Sequence, residues 1–445
     1  MKGYRLLAAV GLAASCSISF AAKTLCVNPN GEHGCYKTIN AAVAAASPGD
    51  IVQVQDGTYY EEVTITKTLS LIAAPWAHPV IDAMNLPHGI WVNGMSAAPK
   101  AGVAGVVISG LKVRHANFEG ILLSNVTDAT LTDNEVTEND QSLDSTSGTC
   151  PSLPTTYETN EEGDCGEGIH LMAVDHSTIL RNEVAHNAGG ILVTDETGPN
   201  AHNLISENFV HDNVYDCGIT LASHGAAKAI IPTATLPYGV WYNTISRNVS
   251  MRNGTQSPGA GVGIFAPGPG NVDTGNVVIN NVIKDNGATG VAMHNHAAPP
   301  GAPPVNMNDN AIVGNYFSGN GPDNPGAPTT GPTGINVFSM APITGTTISQ
   351  NTFDDEAIDV GFNAAVGNLI VHFNNFSRGA GVDSVNTGTV DATENWWHCP
   401  FGPGGGHACA TATGTVVTAP WLTSPFESDS EHHSDDHSDW HSDSH

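Results

Sequence analysis

A short asparagine motif that recurs along the chain constrains its fold more than any other feature. Between Ile179 and Gly218 the pattern I-x-x-N-x-V-x-x-N leads, after a gap, to the dipeptide G-I, and a second copy follows. The motif asparagines are Asn182 and Asn187 in the first copy and Asn208 and Asn213 in the second. A unit that repeats in this way is typical of stacked repeat architectures, so the period decides the fold class before composition does.

The motif recurs often enough to predict a solenoid. Further copies lie at Asn134 and Asn139, Asn248 and Asn253, Asn281 and Asn286, and Asn315 and Asn320, with weaker ones at Asn351, Asn374 and Asn395. The spacing between successive first asparagines runs from 21 to 48 residues. The shortest spacing matches one coil built from about three short strands, and the longer ones add loops. Alternating apolar residues such as Ile179 and Ile205 suit strands with one buried face, and the leucine framework of leucine-rich repeats is absent.

Asparagines at one site of every coil predict a hydrogen-bonded ladder inside a bend of the chain. Asparagine also tolerates left-handed backbone geometry, which is the second reason to place it in the bend. Charged residues flank the motif on successive coils: Arg181, Glu207 and Arg247 before the first asparagine, and His186, Asp212, Arg252 and Asp285 before the second. Alternating charges at strand spacing favour cross-strand pairing, and the alternative is that Arg247 or Arg252 neutralises a substrate carboxylate.

The segment before the coils predicts a helical cap. Ile39, Ala42, Val43 and Ala46 form one apolar helical face, Pro48-Gly49-Asp50 ends the helix, and Ile51 and Val54 begin the strands. A solenoid needs its open end covered, so residues 22–48 are interpreted as an N-terminal cap and residues 49–424 as the coils.

The opening INAAVAAASPGDIVQVQDGTYYE, followed by asparagine-laddered coils, resembles the right-handed parallel β-helix proteins of the pectin-lyase-like superfamily over residues 36 to 424. The resemblance implies an all-β, right-handed parallel β-helix of about ten coils. It does not fix a function, because that superfamily includes polysaccharide lyases, glycoside hydrolases, uronan epimerases, pectin esterases, phage tailspikes, adhesins and periplasmic copper-processing proteins. The catalytic motifs of polygalacturonases and alginate epimerases are missing, and Ser223-His224-Gly225 is the nearest match to the polygalacturonase G-H-G.

The N-terminus and the cysteines predict an exported protein. Residues 1–21 combine Lys2 and Arg5 with an apolar run and a small-residue cleavage site, which is typical of a secretory signal. A lipid anchor at Cys16 is the weaker alternative, because the preceding LAAS is a poor lipobox. Outside the signal, proximity pairs Cys26 with Cys35, Cys150 with Cys165 and Cys399 with Cys409, and leaves Cys217 as a buried apolar residue. No other apolar run approaches the length of a transmembrane helix, so a secreted or periplasmic location is expected.

The G-I strands predict a functional face. Counting from each isoleucine, the outward positions are His170, Leu192, Thr220, Phe265, Ala292, Asn336 and Asp359, followed two residues later by Met172, Thr194, Ala222, Pro267, His294 and Phe338. The strand ends carry Asp195, Glu196, His224, Asn295 and His296. Long insertions at 140–166, 254–262, 321–333, 223–243 and 295–308 are expected to wall a groove along this face, with the histidine side chains facing solvent.

These side chains supply the groups that acid–base chemistry on a sugar requires. The predicted catalytic residues are His170, His224, His294, Asp195 and Glu196, because imidazole titrates near neutral pH and a carboxylate serves as acid partner or cation ligand. The predicted substrate-binding residues are Thr220, Tyr238, Trp241, Phe265, His296 and Asn336. Tyr238 and Trp241 offer flat surfaces for sugar rings, and the equally weighted alternative is that they pack the 223–243 loop onto the scaffold.

The net charge of the chain restricts the kind of ligand that it can bind. The chain has 43 acidic and 14 basic residues, for a formal net charge of −29. A surface this acidic repels nucleic acid and disfavours anionic glycans unless a cation such as Ca²⁺ bridges them. Neutral or acetylated polysaccharides avoid that problem.

The C-terminal region divides into a closing segment and a tail. Trp396, Trp397 and the Cys399–Cys409 pair are predicted to close the far end of the core. Residues 425–445 are rich in His, Asp and Ser without apolar pattern and are predicted to be disordered. His432, His433, His437 and His441 in this tail are weak candidate ligands for Zn²⁺, Ni²⁺ or Cu²⁺, with a solubilising role as the alternative.

The sequence therefore favours an exported carbohydrate-active enzyme, a lyase, glycoside hydrolase or epimerase, that acts on a polysaccharide in a groove along one parallel sheet. The groove histidines favour the enzyme, whereas the missing motifs favour a non-catalytic glycan-binding surface or envelope protein. A metal-handling periplasmic β-helix protein is the third hypothesis.

Overall fold

The computed structural model describes residues 22–144, 146–154, 166–295, 300–323, 329–385 and 388–427. Each named strand pairs in parallel with a strand of the neighbouring coil, as Ile191 does with Ile219 and Val184 with Val210. This arrangement is the predicted right-handed parallel β-helix. The predicted signal peptide lies outside the described residues, as does the tail beyond Glu427.

The strands form three long faces of the solenoid. Sheet 1 contains the G-I strands, with bounds Val63–Ile65, Ile90–Asn93, Ile121–Thr127, Glu167–Asp175, Gly189–Thr194, Ile219–Ala222, Val262–Ala266, Val291–Asn295, Thr333–Ser349, Ile358–His372, Ala380–Ser384 and Thr411–Thr413. Short strands continue this face in four coils, at Val103–Ala104, Asn200–Ala201, Val240–Trp241 and Asp273–Thr274.

Sheets 2 and 3 complete each coil. Sheet 2 contains Thr24–Val27, Ile51–Val54, Ser70–Ala73, Val107–Ser109, Thr130–Thr132, Thr178–Leu180, Leu204–Ser206, Thr244–Ser246, Val277–Ile279, Ala311–Val313, Val390–Asp391 and Val416–Val417, together with the ends of the two longest strands of sheet 1. Sheet 3 has ten strands, at Thr58–Tyr59, Val80–Asp82, Lys112–Arg114, Glu135–Thr137, Glu183–Ala185, Phe209–His211, Val249–Met251, Val282–Lys284, Tyr316–Ser318 and Thr352–Asp354.

The core is a set of stacked aliphatic columns. In sheet 2, Ile179, Ile205, Ile245 and Val278 occupy equivalent positions on successive coils and are all fully buried. Burial of one such side chain contributes about 1.5–3 kcal/mol, so the columns supply most of the apolar driving force for coil stacking.

The predicted asparagine ladder lies in the turn between sheets 2 and 3. Asn182 Oδ1 accepts hydrogen bonds from the backbone N–H and the Nδ2 of Asn134, at 3.1 and 2.9 Å. Asn208 Oδ1 accepts the same two bonds from Asn182, at 2.9 and 3.0 Å, while Asn182 Nδ2 also donates to Leu131 O at 3.1 Å. The ladder runs on to Asn395.

Two further ladders occupy the other turns. The second motif asparagines form one between sheets 3 and 1, and this ladder ends on Glu356, whose Oε1 accepts from the N–H and Nδ2 of Asn320 at 3.2 and 2.8 Å. A ladder that the repeat analysis missed lies before sheet 2, at Ser177, Asn203, Asn243, Asn276 and Asn310.

The left-handed residue of each bend precedes the asparagine. Arg181, Arg247 and Asp212 have φ of 52°, 53° and 55°, whereas the ladder asparagines that follow them do not have positive φ. The expectation that asparagine supplies the left-handed geometry is therefore wrong. The chain turns at the preceding residue, and this leaves the asparagine N–H and side chain aligned to donate to the next coil.

These left-handed positions carry the charged column that the sequence predicted. Arg181 Nε donates to Asp133 at 2.9 Å, Arg247 pairs with Glu207 at 2.9 Å and Arg252 pairs with Asp212 at 2.6 Å. The hydrogen bond from Arg252 holds the pKa of Asp212 down, at about 2. The pairs join neighbouring coils, as cross-strand pairing requires.

Both ends of the coils are closed. The helix Ile39–Ala45 has Thr38 as its N-cap and buries Ile39, Ala42 and Val43, and two 3-10 helices lie at Glu32–Gly34 and Met95–Ala97. At the other end Trp397 is fully buried against Phe376, with ring centroids 4.7 Å apart. Phe426 exchanges two backbone hydrogen bonds with the Asn375 side chain.

The cysteines follow the predicted pairing where it is described. Cys26–Cys35 and Cys399–Cys409 are disulfides, and Cys150 is disulfide-bonded, although its predicted partner Cys165 lies outside the described residues. Cys217 is a free thiol that is buried, and burial raises its pKa well above the ordinary value. Among the described residues, none of the helices has the length and apolar character that crossing a bilayer requires.

The end of the second ladder generates a pH prediction. Burial raises the pKa of Glu356 to about 8 from an ordinary value of 4.5. Between these values the unfolded chain releases a proton that the folded chain retains, so stability falls as pH rises through this window. Glu356→Gln keeps an oxygen acceptor for Asn320 and removes the titration. We expect its melting temperature to match that of the wild type near pH 4.5 and to exceed it increasingly up to about pH 8, and parallel melting curves would contradict the assignment.

Candidate functional site

The register of sheet 1 defines two outward columns. The first contains His170, Leu192, Thr220, Gly263, Ala292, Asn336 and Gly361, and the second contains Met172, Thr194, Ala222, Phe265, His294, Phe338 and Asn363. The predicted first-column places of Phe265 and Asp359 are wrong. Ile264 aligns with Leu221 rather than with Ile219, and this register places Phe265 in the second column. Asp359 is buried, and both of its carboxylate oxygens accept hydrogen bonds from Ser377.

His170 belongs to a buried polar network. Its Nε2 lies 2.9 Å from Thr194 Oγ1 and its Nδ1 lies 3.5 Å from Glu119 Oε1. On the far side of Glu119, His88 Nδ1 lies 2.5 Å from the carboxylate. Burial alone would raise the pKa of Glu119, but His88 and His170 hold it well below its ordinary value. The network therefore contains a carboxylate that two imidazoles keep ionised.

The next strand of sheet 1, Gly189–Thr194, leads to a second buried cluster of polar side chains. Asp195 accepts hydrogen bonds from the backbone N–H of His224 at 2.6 Å, from Ser223 Oγ at 3.2 Å and from the backbone N–H of Gly239. Burial, reinforced by the neighbouring Glu196, raises the pKa of Asp195 to about 7. His224 Nδ1 lies 2.8 Å from Glu196 Oε1, and this contact lowers the pKa of Glu196 despite burial.

The 223–243 insertion covers this part of sheet 1 instead of walling an open groove. Ala227 N–H donates to Glu196 O at 2.8 Å, and Ala227 and Ile230 pack on Leu122 and Met172. The expectation that the predicted catalytic side chains face solvent is wrong here, since His170, Asp195, Glu196 and His224 are at most 5% exposed. The cause is local: the outward columns of these coils carry large apolar residues that need cover.

His294 lies in a different and more open place. Its Nε2 is 2.7 Å from Asp323 Oδ2, and Asn336 Nδ2 donates to the same oxygen at 2.7 Å. The rings of Phe265 and Phe338 stand edge-on to the imidazole, at centroid distances of 5.6 and 6.0 Å. The His294 side chain is 15% exposed, so solvent reaches it. Four strand steps of about 4.8 Å each separate it from His170, and the three predicted histidines do not share one site.

The predicted substrate-binding residues do not lie together in one site. Thr220 and Asn336 are buried and Phe265 is half-buried beside His294. Tyr238 is half-buried within the covering segment, whereas Trp241 lies on the strand Val240–Trp241 rather than in the loop. His296 and the tail residues His432, His433, His437 and His441 lie outside the described residues.

Sequence reasoning missed Asp323 and one exposed cluster. Asp175, His176 and His202 each offer a ligand atom, and these atoms lie within 4.8 Å of one another. The three residues sit at the turn before sheet 2, beside the third ladder that the repeat analysis missed. The signal was available, since His176 and His202 directly precede Ser177 and Asn203 of that ladder.

A family model described as "Periplasmic copper-binding protein (NosD)" matches residues 73–220 and 104–355, which together span more than half of the chain. The chain belongs to the NosD family. A search of curated proteins finds no match for this NosD-family chain.

Solved structures share the fold at low identity. The protein ORF18 of Geobacillus virus E2 is 13% identical with a TM-score of 0.50, over 78% of this chain and 58% of that one. An alginate lyase from Paenibacillus sp. str. FPU-7 is 15% identical with a TM-score of 0.48, over 74% and 96% of the two chains. The A-module of the mannuronan C-5 epimerase AlgE4 from Azotobacter vinelandii is 15% identical with a TM-score of 0.47, over 79% and 93%.

The buried contact between His224 and Glu196 leads to a prediction about the stability of the fold. His224→Ala leaves the Glu196 carboxylate buried without its imidazole, and breaking a buried pair in this way costs about 3–5 kcal/mol. The control Arg181→Ala removes a half-exposed pair and should cost less than about 1 kcal/mol. Denaturant unfolding of both variants checks the order, and a His224→Ala variant as stable as Arg181→Ala would show that the pair does not support the fold.

Proposed function

We propose that this NosD-family chain is an exported carbohydrate-active enzyme that binds a polysaccharide along the C-terminal half of sheet 1, with His294 as its proton-transfer group. The observation that carries the proposal is the contact between His294 Nε2 and Asp323 Oδ2 at 2.7 Å in a place that solvent reaches. It is the only one of the three predicted catalytic histidines that combines a carboxylate partner with exposure, since His170 and His224 are buried.

In this proposal, each atom of the His294–Asp323 pair has a chemical role. Asp323 accepts the hydrogen bond from Nε2, which favours the tautomer with its proton on that nitrogen and fixes the ring. The other nitrogen, Nδ1, forms no hydrogen bond with any residue that the structure describes, and in this tautomer it carries the lone pair of a general base. A histidine in this state can abstract a proton from a sugar carbon or activate a hydroxyl or water.

The surroundings fit a sugar chain of low charge. Phe265 and Phe338 flank His294 with apolar edges, and Asn363 is exposed at the next position of the second column. The acidic character of the chain disfavours an unbridged polyuronate, so a neutral or acetylated glycan is the proposed substrate class. Asp195 and Glu196, the predicted cation ligands, are occupied by hydrogen bonds within the fold, which argues against Ca²⁺ at those two residues.

Export is part of the proposal. Two described disulfides persist only in an oxidising compartment, which supports a secreted or periplasmic location. The predicted signal at residues 1–21 would provide the route.

A polysaccharide panel tests the activity. Product is read at about 235 nm for unsaturated ends and by a reducing-end assay, which separates elimination from hydrolysis, and epimerisation is read by NMR of the polymer. We expect His294→Ala to lower turnover by at least about a hundredfold, because a general base contributes 10²–10⁴-fold. Asp323→Asn should lower turnover to a smaller extent, since it disturbs the tautomer without removing the imidazole.

The chain offers a matched control. His372 is also a partly exposed histidine paired with a carboxylate, Asp391, at 3.0 Å. His372→Ala should leave turnover unchanged. Equal turnover in the His294→Ala and His372→Ala variants would refute the role of His294, while binding without turnover on the whole panel would favour the non-catalytic glycan-binding protein.

Metal handling is a second candidate function. The family description names copper-binding proteins of the periplasm, and the cluster of Asp175, His176 and His202 supplies nitrogen and oxygen ligands that suit copper. The tail histidines His432, His433, His437 and His441 remain proposed as weak additional ligands.

A further inference from the structure

The cluster at the start of sheet 2 has the donor set of a transition-metal site. Asp175 Oδ2 lies 2.8 Å from His176 Nδ1, and Asp175 Oδ1 lies 3.1 Å from His202 Nδ1. One carboxylate therefore already faces the Nδ1 atoms of two imidazoles. Ligands bound to one ion at about 2.0–2.2 Å stand about 3–4 Å apart. The three ligand atoms lie within 4.8 Å of one another, so side-chain rotation has to bring any pair that is wider than about 4 Å into that range.

We propose that Asp175, His176 and His202 form a surface site for a divalent first-row transition metal, with Cu²⁺ bound most tightly. This inference names the site for the second candidate function and does not rest on the glycan proposal. Two imidazoles and one carboxylate suit Cu²⁺, Zn²⁺ and Ni²⁺, and for a given N/O site the affinity order places Cu²⁺ highest. Mg²⁺ and Ca²⁺ prefer all-oxygen sites and are disfavoured.

The backbone beneath the cluster is fixed before any ion binds. Asp175 pairs with Ala201 across neighbouring strands, so His176 and His202 occupy the same position on consecutive coils. The next residues, Ser177 and Asn203, belong to the third ladder, where Asn203 Oδ1 accepts from Ser177 N–H at 2.9 Å. The two ligand-bearing turns are consequently held about one strand spacing, 4.8 Å, apart.

Ring stacking brings the two imidazoles close together. The rings of His176 and His202 stack at 4.7 Å with an interplanar angle of 25°, and Tyr242 stacks on the other face of His202 at 5.6 Å and 25°. A bound ion lies in the plane of each imidazole that ligates it, so metal binding rotates the two rings out of this stacked arrangement while their backbone positions stay the same.

Charge and access also favour a cation. Asp128 occupies the same position on the preceding coil, because Thr127 pairs with Asp175, and it adds negative charge on the His176 side. The side chains of Asp175, His176 and His202 are 42%, 59% and 45% exposed, so an ion reaches the site directly. Three protein ligands leave coordination positions open for water, a small ligand or a partner protein that accepts the ion.

The test compares metal binding by full-length variants. His176→Asn with His202→Asn removes both imidazoles, and asparagine suits the left-handed backbone at these positions, where φ is 50° and 56°. The control, His78→Asn with His407→Asn, removes two exposed histidines that lie outside the cluster. A third variant changes tail residues His432, His433, His437, His441 and His445 to Asn, which removes tail binding while keeping the chain length.

Calorimetric titration with Cu²⁺ and with Zn²⁺, and the electron paramagnetic resonance spectrum of bound Cu²⁺, provide the readouts. We expect the wild type, the control and the tail variant to share one tight site with nitrogen superhyperfine structure from two imidazoles. The His176/His202 variant should lose that spectrum and bind at least about tenfold more weakly, while its melting temperature without metal stays unchanged.

Two results would overturn the site. If the wild type binds metal tightly and the His176/His202 variant binds it equally well, the cluster is not the site although metal handling stands. If the wild type binds neither ion, both the site and the second candidate function fail.

Discussion

The hydrogen bonds between stacked asparagines are the interaction on which the rest of this molecule depends. A parallel β-helix turns sharply three times per coil, and each turn buries backbone groups that would otherwise lack partners. In the first ladder the side chain of Asn182 accepts two bonds from Asn134 and donates to Leu131 and Asn208. Leaving such buried groups unsatisfied costs about 1–3 kcal/mol each, so the ladders set the register from coil to coil.

A fixed register aligns the outward side chains of successive coils in columns, but it does not decide which of these columns are exposed to solvent. In the N-terminal half of sheet 1 the outward positions include Leu122, Met172 and Leu192, all buried. The 223–243 segment covers that apolar surface and encloses His170 and His224 with their carboxylates. Further along, Gly263 and Ala292 are small and His294 stays partly open. At the turns before sheet 2, His176 and His202 remain exposed among the residues that the structure describes.

The fold was predictable because the repeat, the apolar alternation and the capping segment all favour one architecture. The helix over Ile39–Ala45, the asparagine ladder and the disulfides Cys26–Cys35 and Cys399–Cys409 are confirmed. The site was predicted less well. Period-2 alternation assigns a side chain to the outer face, but a loop that folds back over that face leaves no periodic signal. The shift of Phe265 by two residues and the contact of His294 with Asp323, 29 residues away, also depend on loop lengths and loop paths that the motif does not encode.

The central claim is that covering segments bury some histidines and leave others accessible to solvent. A measurement of the accessibility of each histidine tests this claim most directly. Modification of the folded full-length chain with diethyl pyrocarbonate, followed by peptide mass spectrometry, measures the rate at each imidazole. We predict rapid modification of His176 and His202, slower modification of His294, and protection of His88, His170 and His224 until the chain unfolds. Modification of His170 and His224 in the folded chain as fast as that of His176 would contradict it.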